Sequence, residues 1–319
     1  MFNLIEKRRY FFLISAAIIL PGLIAMFYSI LTTGAPFRLS IDFLGGSIYD
    51  LRFTEETITE DALRDVFSTY DDSNLTIQRV VDAAGNERWS VRGQFLEQSD
   101  SEALLADLNT LAPLDRESTQ IERVSETIGG EVARAALFAV LAGSVIVTLF
   151  IVIAFRTVPK ALRYGLCAIA AMVHDVLVVL GLASLTSLFL GWEVDALFLT
   201  AVLTILAFSV QDSIVLFDRI RENIPIYLGE PYETIVNRSI WETIHRSLAT
   251  QLNAFFIMAA ILLFGGETIK QFIFILFLGL VSGTYSSIFT AAPLLIAWEK
   301  GEIPLLNRLG KLMPPPLPT

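Results

Sequence analysis

Six apolar stretches, at residues 10–31, 135–155, 162–190, 196–217, 248–264 and 272–298, constrain this chain more than anything else in it. A helix needs about 20 apolar residues to cross the hydrocarbon of a bilayer. Runs of this length specify an α-helical polytopic membrane protein with six transmembrane helices rather than one or two soluble domains. The 54% hydrophobic content and the mean hydropathy of +0.61 agree with that class.

The net charge of −10 belongs to one segment. Residues 33–130 hold 19 Asp and Glu against 8 Arg and no Lys, so the rest of the chain is close to neutral. This acidic insert lies between the first and second apolar stretches, and its pattern changes period repeatedly. Residues 47–53 alternate like a strand, and 59–70 carry Leu63, Val66, Phe67 and Tyr70 at helical spacing. Residues 75–81 and 87–92 are strand-like and flank a turn signal at Gly85-Asn86. A helix over 99–111 opens with a capping-box spacing from Ser99 to Glu102, and 119–127 closes the series as a strand. The order β-α-β-β-α-β predicts a ferredoxin-like α+β domain. The expected organisation is residues 1–32 as N-terminus and first span, 33–130 as the extracytoplasmic domain, 131–299 as the remaining five-span bundle, and 300–319 as a cytoplasmic tail. Met313-Pro314-Pro315-Pro316 in that tail reads as disordered.

The first apolar run is too long for the core of a signal peptide and reads as an uncleaved span behind Lys7, Arg8 and Arg9. Alternate connections gather the basic residues: Arg156, Lys160 and Arg163, then Arg219, Arg221, Arg238 and Arg246, then Lys300, Arg308 and Lys311. The two short loops on the opposite side carry Lys270 alone. By the positive-inside rule, both termini are cytoplasmic and the acidic insert is outside. Acidity and the absence of any basic stripe argue against nucleic acid as a partner. Cys167 is the only cysteine and sits in an apolar run, and the two histidines, His174 and His245, cannot make a zinc site alone. Neither a metal nor a cofactor is expected.

Polar residues inside the apolar stretches are the candidate site. A carboxylate at a helix centre costs about 2.5 to 3.5 kcal/mol on insertion scales, so such residues face a partner or a hydrated path. Asp212, preceded by Gln211, lies roughly 9 Å inside the charged end of the fourth span that begins at Asp218. His174-Asp175 lies near the middle of the third span, where an imidazole beside an acid suits a proton path as well as a structural hydrogen bond. Arg246, Thr250 and Asn253 share one face of the fifth span. An Asp212–Arg246 pair would act as a switch, because protonating the acid frees the guanidinium, or as a static ion pair. The small residues Gly279, Gly283, Ser286 and Ser287 of the sixth span are assigned to close helix packing.

Taken together, several of these stretches are specific. Residues 41–46 (IDFLGG), 173–181 (VHDVLVVLG), 209–223 (SVQDSIVLFDRIREN), 237–247 (NRSIWETIHRS), 264–268 (FGGET) and 283–289 (GTYSSIF) occur in an order that resembles the SecF family. These are the smaller subunits of the SecDF preprotein-translocation motors of the RND superfamily, and the resemblance runs over nearly the whole chain. It implies a bacterial cytoplasmic-membrane protein that, with a SecD-like subunit, uses the proton-motive force to draw preproteins out of the SecYEG channel. It also implies that Asp212 and Arg246 serve proton transport and that the external domain moves and contacts the unfolded substrate. Asp175, His174 and Gln211 complete the candidate proton relay. Two positions depart from the common family pattern. Gln211 stands where Asn is usual, and Ala207-Phe208-Ser209 stands where Gly-Tyr-Ser is usual.

Two other classes remain open at this point. Without motor activity, the chain would be a structural subunit of the translocon. With Asp175 and Asp212 sharing a proton, it would be an intramembrane aspartyl protease, although the GxGD signature is absent.

Overall fold

The computed structural model describes residues 3–54, 58–70, 75–81, 87–155 and 161–303. The turn expected at Gly85-Asn86, the basic residues Arg156 and Lys160, and the proline-containing tail lie outside the described residues.

Among the described residues, six helices are long and apolar enough to cross a membrane: Ile5–Thr33, Glu126–Ala154, Leu162–Leu190, Ala196–Ile226, Tyr232–Phe264 and Ile269–Glu299. They contain α1 (Arg8–Thr33), α5 (Glu126–Ala154), α6 (Ala161–Leu190), α7 (Ala196–Ile226), α8 (Tyr232–Phe264), and α9 (Glu267–Ser286) with α10 (Ala292–Glu299). Between α1 and α5 lie the helical turn α2 (Ile41–Leu44), the helices α3 (Glu60–Ser68) and α4 (Gln98–Leu111), and four strands. These strands, β1 (Gly46–Leu51), β2 (Thr76–Val81), β3 (Glu87–Gly93) and β4 (Gln120–Val124), form one antiparallel sheet in the order β2-β3-β1-β4. That is the ferredoxin-like order, with α3 and α4 covering one face. Tyr49, Leu51, Leu63, Phe67, Val91, Leu104 and Leu108 make a core separate from that of the bundle. The capping box expected at Ser99 is not formed. Helix α4 starts one residue earlier, with Glu97 at its N-cap, and the Ser99 hydroxyl turns to Asp100.

Helices α7 and α8 are longer than the apolar runs that announced them. Helix α7 continues through the charged residues 218–222 to Ile226, and α8 runs unbroken from Tyr232, so only residues 227–231 connect them. Asn223 stitches the overrun by donating to Ser239 at 3.0 Å and to Glu242 at 2.7 Å.

The third, fourth and sixth spans form the buried centre of the bundle, with the first, second and fifth around it. Glycines permit the closest approaches. A Cβ on Gly22 of α1 would lie 2.5 Å from the Gly181 Cα of α6, so these backbones touch where each lacks a side chain. Gly279 packs against Ile205 of α7, and a Cβ on Gly283 would meet Ser209 at 3.3 Å, so the packing role expected of the small-residue face is observed for its glycines. After Ser286 the sixth span makes one π-helical turn, Ser287–Ala291.

The domain is tied to the bundle through the residues of the IDFLGG stretch. Gly45 and Gly46 take positive φ angles of 79° and 132°, which lets the chain turn from α2 into β1 against the start of α5. Leu39 bridges Val194, Asp42 accepts from the Ala196 amide at 2.9 Å, and Asp195 caps α7 by accepting from the Phe198 amide at 2.7 Å. Arg92 of β3 pairs with Glu193. Together these elements enclose a polar cleft of about 430 Å³ between the open sheet face and the loop before α7. Burial there lowers Arg92 from its ordinary value and raises Asp195, with the nearby Asp42 charge adding to the latter and the Phe198 amide opposing it.

Candidate functional site

The buried acids of the third and fourth spans occupy two different environments. Asp175 is fully buried in α6, and its carboxylate is saturated by neighbouring donors. Its Oδ2 accepts from the Ser209 hydroxyl of α7 at 2.5 Å and from Ser286 of α9 at 2.6 Å. Its Oδ1 accepts from Ser282 at 2.8 Å and faces His174 Nδ1 at 3.1 Å. One side chain thereby joins three helices. Hydroxyl donors can hold a charged carboxylate without a cation, because each bond to an ionised group is worth about 1.5 to 3 kcal/mol. His174 is 5% exposed, stacks on Tyr285, and leaves its Nε2 without a partner among the described residues.

Asp212 is 7% exposed and lies one helical turn beyond Ser209 on the same helix. Its hydrogen-bond partner is Gln251 of α8, whose Nε2 donates to Oδ2 at 2.9 Å. Next to it, Ser213 donates to Ser287 at 3.1 Å, and Ser287 donates to the Ser209 carbonyl at 3.0 Å. The polar groups of the third, fourth and sixth spans thus run continuously from His174 to Ser213, ending beside the Asp212–Gln251 pair.

The expected Asp212–Arg246 contact is not formed. Arg246, Thr250 and Asn253 do share a face of α8, but that face is exposed, while Thr243, Ser247 and Gln251 point into the bundle. Arg246 makes no side-chain hydrogen bond or ion pair among the described residues. Gln211 is likewise exposed, on the side of α7 opposite the serine network. Asp175 and Asp212 do not share a hydrogen bond: each carboxylate has its own donors on other helices, so no aspartyl dyad is assembled. Among the described residues no group of three or more His, Cys, Asp or Glu side chains is placed to hold a metal ion.

Sequence reasoning missed Gln251, Ser209, Ser282 and Ser286. Ser286, a small residue expected to pack, also donates to Asp175. For Gln251 the signal was the stripe Thr243, Ser247, Gln251 at successive four-residue intervals.

Residues 104–301 match the family described as protein export membrane protein SecD/SecF, C-terminal. The SecF protein translocase subunit of Anaerolinea thermophila is 45% identical over 303 residues, covering 95% of this chain and 96% of that relative. The SecF subunit of Thermobaculum terrenum is 38% identical over 309 residues, covering 95% of each. Among solved structures, the translocon-associated SecDF of Thermus thermophilus is 32% identical with a TM-score of 0.74, covering 94% of this chain and 39% of that one. SecDF in its super-membrane-facing form is 30% identical with a TM-score of 0.63, covering 97% and 40%. The chain therefore spans about two fifths of those SecDF chains but nearly the whole of the curated SecF relatives. With six spans, a ferredoxin-like insert after the first and this degree of identity along its length, the chain belongs to the SecF family of protein translocase subunits.

Proposed function

We propose that this subunit pairs with a SecD partner in the bacterial cytoplasmic membrane and couples the proton-motive force to late steps of preprotein translocation through SecYEG. The observation that carries the reading is Asp212: a buried carboxyl group in the fourth span, met by a neutral amide and by no cation among the described residues. Holding charge there is expensive, and gaining or losing a proton is the direct way to change its interactions. In this reading Asp212 carries the proton and Asp175 with His174 forms a second station, bonded to Ser209 one helical turn before Asp212. Each proton crossing 100 mV supplies about 2.3 kcal/mol from the potential alone, enough for a modest helix rearrangement.

Gln211 and Asn253 support the SecD partner, because polar amides exposed within the apolar stretches are better covered by another polypeptide than by lipid. Both termini then lie in the cytoplasm, and the α+β domain lies outside, where it meets the emerging unfolded preprotein.

One observation favours the structural-subunit alternative for part of the site. The Asp175 carboxylate is so fully satisfied that it serves as a staple of the bundle whether or not it titrates. Asp212→Asn separates the readings, since it keeps shape and removes the proton. A motor loses the gradient-dependent part of export, measured with the membrane potential intact and collapsed. If Asp212→Asn exports at the wild-type rate under both conditions, the motor reading is wrong and the scaffold reading stands.

A further inference from the structure

The hydrogen bond to Asp212 uses half of the Gln251 side chain. Gln251 is 2% exposed, its Nε2 donates to Asp212 Oδ2 at 2.9 Å, and its Oε1 is buried without a partner among the described residues. An unmatched acceptor inside a membrane bundle is costly, and in native structures it calls for an explanation. The chemistry of the amide supplies one. Its two ends have nearly the same shape and opposite polarity. A charged Asp212 is acceptor-only, so it must be met by the NH2 end. A protonated Asp212 has an O–H to give, and the carbonyl end can accept it after a half-turn about the Cγ–Cδ bond.

We infer that Gln251 is the positioning residue that reads the charge of Asp212, presenting its NH2 end to the carboxylate and its carbonyl end to the carboxylic acid. The inference rests on the reading of Asp212 as the proton-carrying acid and deepens it. When the amide turns, the spot now occupied by Oε1 changes from acceptor to donor. Any donor-only group of α8 or of a partner helix is welcomed there in one state and repelled in the other.

The test is infrared difference spectroscopy of the full chain with its co-purified SecD partner in lipid vesicles, recorded while Asp212 is protonated and deprotonated by a pH step. The carboxylic-acid C=O band that vanishes in Asp212→Asn belongs to Asp212. In Gln251→Met, which keeps the length and lacks the amide, that band moves to higher frequency as its hydrogen bond is lost. Gradient-dependent export falls at least tenfold, while co-purification with SecD is retained. Gln251→Asn, a smaller change with the amide withdrawn from reach, moves the band in the same direction and serves if the Met variant does not assemble. An unmoved band in both variants overturns the role of Gln251 while leaving Asp212 as the acid. If no Asp212-dependent band exists, the proton-carrying reading falls, and this inference with it.

Discussion

Replacing Asp175 by asparagine and, separately, by leucine divides its service to the fold from any service to proton movement. Its four contacts set the magnitudes. With an asparagine oxygen in the place of Oδ2, the bonds from Ser209 and Ser286, now 2.5 and 2.6 Å, are kept. The new NH2 then faces Ser282 and His174 Nδ1, and both can accept, the hydroxyl by rotating and the imidazole as the other tautomer. The cost is therefore a change from charged to neutral hydrogen bonds, partly offset by no longer burying a charge, and should stay within about 2 kcal/mol. Leucine offers nothing to accept. Ser286 can fall back on the Gly283 carbonyl at 3.1 Å, but Ser209 and Ser282 lose their acceptor. Two orphaned hydroxyls at about 1 to 3 kcal/mol each give about 2 to 6 kcal/mol. Heat melting of the purified complex in detergent should therefore leave Asp175→Asn close to wild type and lower Asp175→Leu sharply. Export driven by the gradient should be lost in Asp175→Asn despite its intact fold. Normal export by Asp175→Asn would show that the residue carries no proton. Wild-type melting of Asp175→Leu would refute the claim that this carboxylate ties the three helices together.

The crossing of α1 and α6 gives a packing test: Gly181→Ala places a Cβ 2.7 Å from the Gly22 Cα, forcing the helices apart at a cost of about 1 to 3 kcal/mol, visible as a lower melting temperature. In the domain, the Tyr70 hydroxyl donates to Asp107 at 2.7 Å, and that bond, with burial and the Asp107 charge adding, pushes its pKa up to about 12. Because this value lies above the ordinary tyrosine value of about 10, its stabilising contribution is complete below pH 10 and is lost as pH rises through 12. An ultraviolet titration of tyrosinate should lose one late-titrating group in Tyr70→Phe. At the seam between domain and bundle, Glu193→Ala removes the partner of Arg92 and should loosen the contact by about 1 kcal/mol. Spin labels on β3 and on the loop before α7 should report a broader distance distribution, and an unchanged one would mean that the Leu39–Val194 bridge suffices.

Much of this architecture was legible because hydrophobic periodicity reports burial directly. The six spans, and the alternation between strand and helix in 47–124, follow from it. Helix ends were less legible: Thr59 caps α3 through the Ala62 amide, yet Ser99, an equally good residue by type, falls inside the first turn of α4. The site was half legible. Charged residues in apolar runs announce themselves, which is how Asp175, Asp212 and Arg246 were found. Spacing says which residues share a face and not which way that face points, so Arg246, Thr250 and Asn253 looked like the inward face of α8 when Gln251 held that place. The serines that hold Asp175 were illegible for another reason. A lone hydroxyl in a span can satisfy itself on its own helix, as Thr186 does on Leu182, and only the tertiary fold decides whether it reaches across.

The overrun of α7 turns a small event at its middle into a large one at its end. From Asp212 to Ile226 the helix runs roughly 21 Å, and the five-residue connection clamps its tip to α8. A tilt of about 5° pivoting at the acid therefore swings that tip by nearly 2 Å, a lever arm long enough, under the proposed proton-carrying role of Asp212, to carry the gain or loss of one charge out of the hydrocarbon and into the aqueous phase beyond it.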